Sequence, residues 1–248
     1  CAGALLPLAP VEAPTRPAVV ESRAPAAEPL AGKVIVIDPG HQLGNARFPS
    51  QINRLVPAGG FLKPCNTTGT ATNGGYPEAT FTWQVARVLR ARLQSLGARV
   101  VLTRASNSVD RWGPCVDVRG KRGNALHADL KLSLHGDGSL SGGRGFHVIS
   151  QTDASPTRDT YARSRRLALA VRAGLRQRRI PVADYIAGGD GLDFRHDLGT
   201  LNLSDMATVM VELGNMRSAV DARRMTTPRG RSSYAAGLVR GVRLFLRR

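Results

Sequence analysis

Four consecutive β-branched residues, Val34 to Ile37, constrain this chain more than any other feature of it. A strand with one wet face alternates apolar and polar side chains, whereas an unbroken run suits a strand covered on both faces. Such a strand is buried inside a layered domain, and with strand and helix patterns alternating after it α/β is the expected class. Asp38-Pro39-Gly40 ends the run. That leaves His41 just past the strand's carboxyl end, the edge of an open α/β sheet at which ligands bind.

Strand and helix patterns alternate from Gly32 onward with no internal repeat and no second linker, which points to one domain over 32–248. The stretch from Gln42 to Tyr76 is rich in Gly, Pro, Asn and Thr and reads as a long loop. Pro77 opens a helix whose apolar residues Phe81, Val85, Val88, Leu89, Leu93 and Leu96 recur at three- and four-residue spacing, with Gly97 placed to cap it. A strand follows at Arg99–Thr103, then a helix over Val116–His127. Strands are expected at Asp129–Leu134, Gly145–Ser150 and Thr208–Val211, with helices at Thr160–Arg179 and Arg231–Leu246.

The charge is unusual. Among 248 residues, 35 Lys+Arg oppose 18 Asp+Glu, a net +17, and only four of the basic residues are lysines. Such a field attracts polyanions, among them nucleic acid, anionic cell wall and acidic lipid. The arginines lie in helical patches such as Arg163, Arg165, Arg166, Arg172, Arg176, Arg178 and Arg179, where solvation is their default fate. No aromatics are interleaved with them, and no zinc finger or RNP signature occurs, so nucleic acid is not an expected partner.

Cys65 and Cys115 lie in loops of an otherwise cysteine-poor chain, which suggests one disulfide and an oxidising compartment; two free thiols are the alternative. No apolar run reaches 18 residues, so no membrane span is expected. Residues 1–31, opening on CAGALLPLAP, lack periodicity and read as a flexible leader, either a signal remnant or a linker starting at a lipid-modifiable Cys1. No apolar stripe asks for a second subunit, and a monomer is expected.

His41, His135 and Glu212 each terminate an expected strand, and Glu78 lies in the first turn of the Pro77 helix. Two histidines and a carboxylate supply the three protein ligands of a catalytic zinc, with a water in the fourth position. A second carboxylate, not bound to the metal, can take that water's proton. Spacing alone leaves open which glutamate does which. Three other histidines weigh less: His127 reads as a surface residue, His147 as packed within a strand, and His196 as a substitute ligand or substrate contact. Asp38 is placed to orient His41.

The strings VIDPGH, GYPEATFTWQVARVLRARL, LKLSLHGDG and VMVELGNM, in that order, resemble the type 3 family of zinc-dependent N-acetylmuramoyl-L-alanine amidases, over Gly32 to Arg248. The likeness is greatest to compact actinomycete members, which share the cysteine-containing loop and the GPCVD segment. It implies a twisted, mixed and mostly parallel sheet flanked by helices on both faces, a Zn2+ cofactor, and a peptidoglycan or muropeptide substrate cut between N-acetylmuramic acid and L-alanine. It places the zinc ligands on His41, Glu78 and His135 and the catalytic glutamate on Glu212. Gly136 departs from it, standing where alanine is common, which should loosen a loop. A peptidoglycan substrate further implies a secreted, periplasmic or wall-associated protein, and Arg195 is a candidate contact for a stem-peptide carboxylate. The rival readings are a zinc peptidase acting within the stem peptide, or a basic wall- or nucleic-acid-binding protein on the same fold.

Overall fold

The expected central strand is present in the computed structural model, which describes residues 1–4, 28–153, 156 and 158–247. Strand β1 (Val34–Pro39) pairs in parallel with β4 (Arg99–Leu102) on one side and β5 (Leu130–Asp137) on the other. The sheet continues through β8 (Ala207–Asn215), β6 (His147–Gln151) and β7 (Leu192–Arg195), giving the order β4-β1-β5-β8-β6-β7. Among the described pairings of this sheet, only β6–β8 is antiparallel. A separate hairpin joins β2 (Leu55–Pro57) to β3 (Leu62–Pro64).

Three long helices cover one face: α2 (Glu78–Gln94), α4 (Arg158–Gln177) and α7 (Pro228–Leu246). Their apolar stripes meet the sheet in a single core, where Phe81, Leu89, Leu167, Val171, Tyr234 and Leu238 pack on Ile35, Ile37, Leu132, Val209 and Val211. Glycines let α4 and α7 approach closely: a Cβ on Gly174 would stand 2.5 Å from the Gly241 nitrogen. On the other face lie the short helices α3 (Val116–Lys121) and α5 (Gly199–Asn202); α1 (Pro49–Asn53) and α6 (Ala219–Thr226) fill connections.

Several expected boundaries move. The 116–127 helix stops at Lys121, because Gly123 adopts φ 101° and only a 3-10 turn, Asn124–Leu126, follows. The 42–76 loop contains α1 and the β2–β3 hairpin. β5 and β8 run past their expected ends, so His135 and Glu212 lie inside strands. Gly136 is consequently a strand residue, and a Cβ there would press on Met216 at 3.1 Å. Most of the expected leader, residues 5–27, lies outside the described residues; Leu30 is buried, and its N–H donates to Leu96 O at 2.8 Å.

Cys65 and Cys115 are bonded across 50 residues of sequence. The bridge fastens the end of the hairpin to the start of α3, reinforced by Val116 N–H to Cys65 O and by the Asn66 amide to Pro114 O, both 2.8 Å. Closing a loop of that length stabilises by about 4 kcal/mol in the chain-entropy model. The Cys65→Ser, Cys115→Ser pair should lower unfolding free energy by about that much, read as a lower denaturant midpoint.

Candidate metal centre

Each histidine of the cluster is placed by backbone that the sequence dictates. Beyond Asp38 the chain cannot continue as an ordinary strand, since Pro39 lacks an N–H. Gly40 still joins the ladder, its N–H donating to Leu134 O at 2.9 Å. His41 then adopts φ 57°, a left-handed conformation that costs a residue with a Cβ about 1–3 kcal/mol and marks a functional constraint. Its imidazole Nδ1 lies 3.1 Å from Thr67 O and 3.2 Å from Thr67 Oγ1, which leaves Nε2 to point inward.

Glu78 is the first helical residue of α2, behind Pro77, and is buried to 4% exposure. Its Oε1 lies 3.2 Å from His41 Nε2 and 2.9 Å from His135 Nδ1. The same oxygen accepts from Gly136 N–H at 3.1 Å, and Oε2 accepts from Thr70 N–H at 2.9 Å. Burial alone would raise the pKa of this carboxyl, but the His41 and His135 imidazoles and their hydrogen bonds hold it well below the usual range. One ligand atom from each of His41, Glu78 and His135 falls within 4.8 Å of the others, the one such His/Cys/Asp/Glu group among the described residues.

The donor set fits zinc. Ligands at the usual ~2.0–2.2 Å from a tetrahedral Zn2+ stand roughly 3.3 Å apart, and the observed 3.2 and 2.9 Å separations need only small side-chain rotations to reach that spacing. Gly40 makes room for the His135 ring: a Cβ there would come within 2.7 Å of both ring nitrogens. Gly40→Ala should therefore displace His135 and weaken zinc binding at least 10–100-fold, measured by competition with a chromogenic chelator.

Glu212 joins from the neighbouring strand. It is the register partner of His135 across β5–β8 and of His147 across β6–β8, so the three side chains lie in a row on one face. Glu212 Oε2 is buried and has no hydrogen-bond partner among the described residues. Burial raises its pKa well above the ordinary value, the charges of Glu78 and Asp137 add to the rise, and Arg195 opposes it. Beside it, Tyr185 donates to Asp137 Oδ2 at 2.7 Å, and the His147 ring meets Tyr185 edge-on.

Other candidates fall elsewhere. Arg195 ends β7 opposite Gln151, four positions along β6 from the His147–Glu212 pair, and its guanidinium is held by Asp197 through bonds of 2.8 and 2.7 Å. His127 is exposed, and His196 is not in the cluster. His147 is buried as expected, yet it faces the site.

Asp38 does not touch His41, which corrects the simplest reading of the DPGH string. Its carboxylate accepts from Arg119 at 2.6 Å, Ser133 at 2.6 Å and Thr103 at 2.5 Å. Arg119 passes the constraint on, donating to Pro39 O at 2.8 Å and His41 O at 2.7 Å. Arg104 does likewise from the other side, binding Pro39 O at 2.9 Å and Ala79 O at 2.7 Å while its guanidinium lies 5.0 Å from the Trp83 ring centre. Burial and the nearby Arg119 charge push Arg104 down to about 9. The expectation that arginines are solvated fails for these two, both at most 4% exposed.

Residues 35–243 match the Amidase_3 family, described as N-acetylmuramoyl-L-alanine amidase. The chain is 45% identical over 219 residues to an N-acetylmuramoyl-L-alanine amidase of Mycobacterium tuberculosis, with 88% of each covered. Among solved structures it resembles the N-acetylmuramyl-L-alanine amidase Ami1 of Mycobacterium smegmatis, at TM-score 0.82 and 40% identity over 88% of this chain and 98% of that one. The apo form of Ami1 from Mycobacterium abscessus is similar at TM-score 0.79 and 42% identity, over 88% of this chain and all of that one. With the His41, Glu78 and His135 cluster at the sheet edge and a family match running through nearly the whole fold, this chain belongs to the Amidase_3 family of N-acetylmuramoyl-L-alanine amidases.

Proposed function

We propose that the protein hydrolyses the amide between N-acetylmuramic acid and the L-alanine of the stem peptide, acting as a monomer outside the cytoplasm on peptidoglycan or its fragments. The observation that carries this reading is a buried carboxylate with an unpartnered oxygen, Glu212, one strand from the three-residue cluster. His41, Glu78 and His135 would hold a zinc ion. Such an ion, when bound, supplies a Lewis acid for the scissile carbonyl and a water of lowered pKa.

The protein's own groups do the rest. Glu212 orients the attacking water, takes its proton at Oε2 and returns it to the departing alanine amine, a general base becoming a general acid. Its raised pKa suits both halves, since burial makes the carboxylate a stronger base toward the water's proton than an exposed one would be. Tyr185 and Asp137 lie beside it, bonded to each other, and the charge of Arg195 opposes the rise in its pKa.

Metal analysis and mass spectrometry of digested muropeptides test the reading together. One zinc per chain is expected, with chelation abolishing activity and zinc restoring it, and products should be intact peptides beginning with L-alanine. Peptides cut between stem residues would make the enzyme a peptidase, and full activity after complete chelation would remove the metal from the reaction.

A further inference from the structure

A groove of about 490 Å3 runs between α4 and α7 on the outer side of the three-helix layer. Leu169, Ala170, Ala173 and Phe245 line it, with Arg166 and Arg247 at its rim. The Arg166 guanidinium lies 5.9 Å from the Phe245 ring centre, its stem along the apolar wall. Acidic residues are scarce around it: α7 has none, and α4 has Asp159 alone. Among the described residues, Arg163, Arg165, Arg166, Arg240 and Arg247 are exposed and form no salt bridge.

This surface lies away from Glu212. Val209 and Val211 of β8 pack in the core with Leu167 and Val171 of α4, whereas Met210 faces Leu198 and Leu201. Side chains alternate along a strand, so Glu212 shares the face of Met210 and points away from the α4–α7 layer. The start of α4 also lies at the far end of the sheet, where Thr208 N–H at the beginning of β8 donates to Ser164 Oγ at 3.0 Å. Leu30 is anchored to Leu96 at the end of α2, so the chain joins the fold there too.

We infer that the α4–α7 face docks on an anionic phospholipid surface, with acyl segments in the groove and lipid phosphates on Arg166, Arg247 and the arginines around them. An arginine rim matches anionic headgroups, and an apolar floor is what a soluble polyanion would leave unfilled. Docked this way, the protein keeps the Glu212 face of the sheet turned from the membrane. The inference stands on the helix layer alone and does not depend on the proposed hydrolysis.

Vesicle co-sedimentation of the full chain carrying Cys1→Ser, which keeps any lipid anchor out of the measurement, tests it. Binding is expected to phosphatidylglycerol-containing vesicles and not to phosphatidylcholine alone. The double variant Arg166→Ala, Arg247→Ala should bind about 30-fold more weakly, at about 1 kcal/mol per arginine. Ala173→Gln fills the groove without removing a core side chain, and should weaken vesicle binding while leaving polyphosphate binding unchanged. Arg111→Ala, Arg122→Ala, on exposed residues outside this layer, should bind vesicles as the parent does. Unspecific attraction by net charge replaces the proposed face if both arginine pairs lose equally or Ala173→Gln binds normally, and absence of binding to anionic vesicles removes it altogether.

Discussion

Glu212→Gln should lower turnover by about 10²–10⁴-fold while zinc content and unfolding midpoint stay close to those of the parent. The amide fills the same space, and Glu212 holds none of the cluster residues in place: His41, Glu78 and His135 are fixed by Thr67, Thr70, Gly136 and one another. In the proposed reaction the substitution removes proton transfer at Oε2, which has no hydrogen-bond partner among the described residues. The pH profile gives a second readout. Burial and the Glu78 and Asp137 charges raise the Glu212 pKa, so the acidic limb of kcat/KM in the parent should lie above the ordinary carboxylate range and vanish from the residual activity of the variant. A variant retaining parental turnover would take Glu212 out of the chemistry.

Asp38→Asn should destabilise by about 3–5 kcal/mol, because it leaves the buried Arg119 guanidinium without its counter-charge. Burial pushes the Asp38 pKa upward, but Arg119 and the hydrogen bonds from Ser133 and Thr103 outweigh it and hold the carboxyl well below its ordinary 3.8. A carboxyl with a lowered folded-state pKa contributes its full stabilisation above its unfolded pKa and loses it as pH falls through the folded one. The parent should therefore lose stability from about pH 4 downward, and the variant should be less stable above that range with a flatter acid limb. Denaturant titrations across pH check both. Zinc affinity should fall about 10–100-fold as well, since Arg119 sets the His41 carbonyl, and Asp38→Glu should recover little of it in so tight a site.

The two variants also separate what the sequence discloses from what it withholds. The strand at Val34, the Pro77 helix and the gathering of His41, Glu78, His135 and Glu212 at one sheet edge are legible because each rests on a local pattern: a β-branched run, a 3-4 apolar spacing, or a polar residue at the end of an apolar segment. Asp38–Arg119, 81 residues apart, has no such signature, nor does Arg104 on Pro39, 65 apart. Lys131 is hidden for the same reason. It sits in an apolar strand at 0% exposure, donates to Arg119 O, Gly120 O and Ser204 Oγ, and is pushed by burial down to about 8. In each case a buried cation is defined by acceptors that only the folded chain assembles. The β7 strand and α5 were missed because Leu192–Arg195 and Gly199–Asn202 are too short to show a period. Gly123 carried a usable signal: a glycine followed by asparagine inside a helical pattern, where the helix does break.

Strands β6 and β7 run against the other four strands of the sheet, and β8 lies between β5 and β6. The link from β5 to β6 must therefore pass across the tip of β8, and the Asn215 amide ties it there through Ser139 O at 2.9 Å and Gly143 O at 2.8 Å. Leu140, at 87% exposure, stands free on that span. Lengthening or shortening the span would leave every strand ladder untouched, so the loop can vary in length without disturbing the sheet that carries Glu212.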